Sequence, residues 1–113
     1  MKILIVGAGS TGGYFGARLT QAGRDVTFLV RPARATALRQ SGLQVLSPRG
    51  NFSVVPKLML ASEIDRPFDI VLVTVKAFGL PAAIEDFAAA VGPETMILPV
   101  LNGMKHEIGR AHV

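Results

Sequence analysis

The sequence predicts a doubly wound, mostly parallel α/β sheet forming a single domain over residues 1–113. Two observations carry this prediction. Apolar runs alternate with helical stretches along the chain, the pattern of a parallel sheet covered by helices. The first run also passes without a gap into a glycine-rich turn that opens a helix.

Taken in order, Ile3 to Val6 is a continuous apolar run, as expected for a strand covered on both faces. It stops at Gly7, too short for a signal core or a membrane span. Ser10 to Ala22 follows as a helix, with Tyr14, Phe15, Ala17, Arg18 and Leu19 on helical spacing. Ser10 or Thr11 can cap its start, and Gly23 ends it in the left-handed position. Asp25 to Val30 is a second strand, with Asp25 read as a turn residue at its start. Pro32 opens a second helix, which runs to about Gln40 and stops at Gly42. Leu43 to Ser47 and Phe52 to Pro56 form a hairpin around Pro48-Arg49-Gly50-Asn51. Ile70 to Val75 is the longest β-branched run and the best central strand. Pro81 to Val91 is a helix with Ile84, Phe87, Ala88 and Val91 on one stripe, broken by Gly92-Pro93. Met96 to Leu101 is a last strand, and another helix is expected to begin after Asn102-Gly103, cut by the end of the chain.

Composition bounds the function classes. Half of the residues are apolar, 18% are charged and the net charge is +4, an ordinary globular balance. The mild basicity suits an anionic ligand. No basic run interleaved with aromatics is present, so nucleic acid is not the expected partner, nor is a membrane. Cysteine is absent, which rules out disulfides and thiolate metal sites and is compatible with a cytoplasmic location. His106 and His112 read as surface residues, and no metal site is suggested.

Gly7-Ala8-Gly9-Ser10-Thr11-Gly12 fits the pattern G-x-G-x-x-G in the context it requires, directly after a strand and opening a helix. Gly7 permits the sharp turn, Gly9 leaves room for a pyrophosphate against the backbone, and Gly12 lets helix and strand pack closely. The helix N-terminus at Ser10 and Thr11 then offers N–H groups and a positive dipole to the phosphates. Gly13 and Gly16 read as packing glycines. The loop marks a dinucleotide-binding, Rossmann-type domain. NAD-specific domains usually carry an acid at the end of the second strand, which accepts from the ribose hydroxyls. Here that place holds Arg31, 19 residues after Gly12, with Arg34 one helical turn beyond. Two guanidinium groups suit a 2′-phosphate, so the expected cofactor is NADP(H).

Lys76 directly follows the Ile70–Val75 strand, and Asn102 follows the last strand. Both therefore lie at the carboxyl edge of the sheet, where open α/β folds bind ligands. Lys76 can donate to a cofactor or an anionic substrate; on position alone, a lysine reaching solvent fits as well. Asn102 can donate to and accept from a ribose, a carboxamide or a substrate hydroxyl; a helix-capping asparagine is the equal alternative.

Gly7-Ala8-Gly9-Ser10-Thr11-Gly12-Gly13, Val30-Arg31, Thr74-Val75-Lys76-Ala77 and Leu101-Asn102-Gly103-Met104 together resemble the ketopantoate reductase family, across essentially the whole chain. The resemblance implies an NADP-dependent 2-dehydropantoate 2-reductase, which reduces a small 2-oxo acid, ketopantoate, to pantoate in pantothenate biosynthesis. It implies that Arg31 contacts the 2′-phosphate, and that Lys76 and Asn102 serve as supporting catalytic residues at the nicotinamide end. Gly79 departs from the family, whose members often have a polar residue there. The family's proton-donating lysine and a substrate-binding acid belong to a helical C-terminal domain that these residues lack, so the chain alone is expected to be inactive. Two other readings stand beside this one: a non-catalytic nucleotide-sensing module, which has no use for Lys76 and Asn102, and a related reductase of another 2-oxo acid. A homodimer is left open.

Overall fold

The computed structural model describes residues 1–7, 10–45, 50–75 and 79–99, with Ser10, Thr11, Gly12 and Val45 described by backbone alone. Five parallel strands form the main sheet: β1 (Lys2–Val6), β2 (Asp25–Leu29), β5 (Leu58–Met59), β6 (Ile70–Val73) and β7 (Met96–Pro99). Their order is β5-β2-β1-β6-β7. The chain thus builds outward from β1 to β2 and β5, then crosses back to β6 and β7. The predicted doubly wound sheet is the observed one. The Ile70 strand is interior, between β1 and β7, while β1 takes the middle position.

The alternation of side chains along these strands splits the core into two layers. Ile3, Ile5, Val26, Phe28 and Val30 face one side and pack with Ala17 of α1 (Ser10–Gln21) and with Ala35 and Leu38 of α2 (Pro32–Ser41). Leu4, Val6, Leu29, Val71 and Val73 face the other side and pack with Ala83 and Phe87 of α3 (Leu80–Phe87) and with Ala90. A strand covered on both faces needs apolar residues at every position, which explains the uninterrupted run in β1. Each fully buried side chain such as Phe28, Leu4 or Ile5 contributes about 1.5–3 kcal/mol by leaving water.

The glycine and proline signals fall where the sequence reading puts them. Gly7, Gly23 and Gly42 have φ of +95°, +83° and +73°, and Gly42 caps α2 by donating to the Leu38 carbonyl. Pro32 stands at the first turn of α2, where its missing N–H costs nothing. The hairpin is β3 (Leu43–Val45) paired antiparallel with β4 (Phe52–Val54), a small sheet of its own; residues 46–49 of its turn lie outside the described residues. Whether Ser10 or Thr11 caps α1 concerns side chains outside the description.

The structure departs from the sequence reading at α3 and Asp25, and adds to it at α1 and after β4. Helix α3 starts at Leu80 and gives way to a 3₁₀ turn at Ala88–Ala90. Its buried face is Ala83, Phe87 and Ala90, whereas Ile84 and Val91 are exposed. Small alanines let the helix lie close to the sheet, so the larger aliphatics are turned outward. On α1 likewise, Gly13, Gly16 and Ala17 face inward and Tyr14 and Phe15 are exposed. Asp25 is not a turn residue: it begins β2 and pairs with Lys57 at 3.0 Å, whose hydrogen bond holds the Asp25 carboxyl below its ordinary pKa. Finally, β5 and the 3₁₀ turn Ala61–Glu63 had no counterpart in the sequence reading; backbone bonds from Phe28 N to Lys57 O and from Val30 N to Met59 O bind this segment to β2.

Candidate nucleotide-binding site

The strand order reverses between β1 and β6, which run parallel, and this opens a crevice at the carboxyl ends of the strands, the usual ligand position in such sheets. A cavity of about 660 Å³ lies there, over the ends of β1 and β2. Gly7 and Val6 form its floor, Val30, Arg31, Pro32 and Arg34 one side, and Leu60, Ala61 and Ser62 another. Asp86 of α3 also lines it, beside Arg31.

Gly7 is fixed by its neighbours as well as by its backbone angle. The Thr74 hydroxyl, at the end of β6, lies 2.6 Å from the Gly7 carbonyl oxygen and 2.9 Å from that of Val6. The Thr74 amide also donates to Val6 O at 2.9 Å. A β-carbon on Gly7 would come within 3.0 Å of Val75 Cγ1 and 3.1 Å of Thr74 Oγ1, and the positive φ would strain it further. The chain therefore turns from β1 toward α1 at the one residue type that fits.

Arg31 extends from the end of β2 and donates through Nη2 to Asp86 Oδ2 at 3.1 Å. Its side chain is 70% exposed and that of Asp86 32%. The pair links the end of β2 to α3, and both residues line the cavity. The roof is set by a local bond: the Leu60 amide donates to the Glu63 carboxylate at 2.7 Å, which closes the 3₁₀ turn carrying Ala61 and Ser62.

Of the site residues expected from sequence, Gly7, Arg31 and Arg34 come together around this cavity. Ser10, Thr11 and Gly12 form the first turn of α1. Gly9, Lys76 and Asn102 lie outside the described residues. Sequence reasoning missed Leu60, Ala61, Ser62, Thr74 and Asp86. Among the described residues, no group of three or more His, Asp or Glu side chains could hold a metal ion.

The family model of ketopantoate reductase PanE/ApbA matches residues 3–111 of this chain. The chain belongs to that family. A relative named as an uncharacterized oxidoreductase, YkpB of Bacillus subtilis, is 47% identical over 106 residues, covering 94% of this chain and 35% of its own length. The crystal structure of 2-dehydropantoate 2-reductase from Geobacter metallireducens superposes with a TM-score of 0.81 at 37% identity, over 99% of this chain and 37% of that one. A D-mandelate dehydrogenase in ternary complex with NADH and anilino(oxo)acetate gives the same TM-score of 0.81 at 28% identity, over 97% of this chain and 37% of that one. The chain thus spans about a third of the length of the relatives it matches.

Within the ketopantoate reductase fold, the cavity at Arg31 occupies one half of the crevice, over β1, β2 and the turn after β5. Strands β6 and β7, which Lys76 and Asn102 follow in sequence, lie on the other side of β1. No helix among the described residues is long and apolar enough to cross a membrane.

Proposed function

We propose that this chain is the cofactor-binding part of an NADPH-dependent reductase of a small 2-oxo acid, with 2-dehydropantoate the first substrate to test. The observation that carries the reading is the cavity at the strand ends, with Gly7 on its floor and Arg31 and Arg34 at its side. These residues suit a phosphorylated adenosine: the turn at Gly7 brings the backbone close, and two guanidinium groups offer paired donors to a phosphate. When bound, NADPH would supply the hydride. The chain's own residues bind and orient. The helix start at Ser10 to Gly12 meets the pyrophosphate, and Arg31 reads the 2′-phosphate with Arg34 beside it. Lys76 and Asn102 hold the reacting end. The wall that receives the substrate and donates a proton is proposed to belong to the two thirds of the relatives' length that this chain does not match. The partner is the small-molecule 2-oxo acid.

A second reading draws on the likeness to the D-mandelate dehydrogenase named above: the same fold would serve a 2-oxo acid other than 2-dehydropantoate. Calorimetric titration with NADPH and NADH tests the binding half, and NADPH absorbance followed with 2-dehydropantoate and with an aryl 2-oxo acid tests the chemistry. NADPH is expected to bind the tighter. Turnover is expected only in a full-length relative and not in the 113-residue chain, because bringing reacting atoms to about 3–3.5 Å with water excluded needs two walls. Tighter binding of NADH, or no binding of either, refutes the cofactor assignment.

A further inference from the structure

We propose that Asp86 is a specificity-determining residue of this site, an acid delivered to the adenosine ribose from α3 rather than from the end of β2. The inference rests on reading the cavity as a dinucleotide site. In NAD-binding sheets, an acid at the end of the second strand accepts from the ribose hydroxyls and repels a 2′-phosphate. In this chain that position holds Arg31, and by sequence alone the acid is missing. The fold restores one. Asp86 is 55 residues further along the chain, yet its Oδ2 lies 3.1 Å from Arg31 Nη2, and both residues line the same cavity.

The pair gives the pocket two opposed preferences. A 2′-phosphate held by Arg31 has to share its guanidinium with Asp86 and sit near a carboxylate of like charge. A ribose with a free 2′-hydroxyl meets no such repulsion. The Asp86 carboxylate has acceptor capacity beyond the single bond from Arg31 and can accept a hydrogen bond from the hydroxyl. Asp86 therefore narrows the preference for NADPH that Arg31 and Arg34 create, and lets the site accept NADH as well. Asp86 is only one-third exposed, so its charge is less screened than that of an open surface residue.

The test uses Asp86→Asn, which keeps the shape and removes the charge, with 2′,5′-ADP and 5′-AMP as probes in calorimetric titrations; a circular dichroism melt confirms that the variant folds. Asp86→Asn is expected to tighten 2′,5′-ADP by about three- to fivefold, the range of a partly exposed charge pair, and to leave 5′-AMP unchanged or weaker. Asp86→Ala should shift the ratio of the two affinities in the same direction. Weaker binding of 2′,5′-ADP to Asp86→Asn would mean that Asp86 merely holds Arg31 in place, and an unchanged ratio would mean an ion pair without a role in selection; either overturns the inference. Arg31→Ala separates these failures from failure of the pocket reading. If the protein binds 2′,5′-ADP and Arg31→Ala does not weaken it, or if neither probe binds the unaltered protein, the cavity is not the nucleotide site and the role of Asp86 falls with it.

Discussion

The ring of Phe28 occupies the space that a β-carbon on Gly16 would need. A methyl group there would overlap Cε2 and Cζ of the ring and come within 3.3 Å of Ile5 Cγ1. Phe28 is completely buried in the middle of β2, so the ring has nowhere to go. Gly16 thus sets how closely α1 lies on the sheet, and with it where the helix N-terminus stands over the site.

Gly16→Ala should therefore destabilise the protein, although alanine is the better helix former. The propensity gain is about 1 kcal/mol, whereas overpacking a fixed core costs about 1–3 kcal/mol or more. Urea denaturation gives the sign. Phe28→Leu in the same chain should recover part of the loss, so the two substitutions should be non-additive. A Gly16→Ala variant as stable as the parent would show that the helix can move away at little cost.

Thr74→Val should lower stability by about 1–2 kcal/mol, because it removes a half-buried donor from the carbonyls of Val6 and Gly7 while keeping the side-chain shape. Nucleotide affinity should fall with it, since the hydroxyl fixes the floor of the cavity. Thr74→Ser keeps the donor and should retain most of both properties. Equal losses in the two variants would place the effect in packing of the methyl group instead.

Asp25 and Lys57 make a pH-dependent clasp between β2 and the segment entering β5. The Lys57 hydrogen bond depresses the folded-state pKa of Asp25, so folding favours the ionised form. Its contribution is present above the unfolded value, about 3.9, and is lost as pH falls through the lower folded value. The pair is exposed and screened by salt, so the effect is small. Asp25→Asn should be slightly less stable than the parent at about pH 7 and indistinguishable from it well below pH 3. A gap that persists in acid would mean that the carboxylate charge is not the cause.

The parts legible from sequence are those whose signal is local. A strand buried on both faces needs an unbroken apolar run, and Ile3 to Val6 supplies one; Gly7, Gly23 and Gly42 mark turns because their backbone angles suit little else. Two residues, Leu58 and Met59, are too short a run to show a period, and β5 exists because backbone bonds attach it to β2. On α3, hydrophobicity alone favours Ile84 and Val91, but close helix–sheet approach selects Ala83 and Ala90 for the inward face. Asp86 was illegible for a different reason. Its role comes from meeting Arg31 across the fold, and nothing near either residue in the chain announces the meeting.

The last prediction concerns Arg31 itself. A charge-assisted hydrogen bond to phosphate contributes about 1.5–3 kcal/mol, so Arg31→Ala should weaken NADPH about tenfold or more. The structure adds a reason for the loss to be selective. Removing the guanidinium also exposes the Asp86 carboxylate to the 2′-phosphate, whereas NADH presents only a hydroxyl there. NADH affinity should accordingly change little. Arg31→Lys should fall between the two, because an ammonium supplies the charge without the planar fork that matches a phosphate. Arg34→Ala should cost less than Arg31→Ala, since Arg31 is the residue at the end of β2, where the ribose-reading residue stands in such sheets. Any NADPH preference that Arg31 creates should also shrink as salt rises, because its side chain is largely exposed. Parallel titrations with NADPH and NADH at low and high ionic strength measure all of this. A loss in Arg31→Ala that is equal for both cofactors would show that Arg31 does not read the 2′-phosphate.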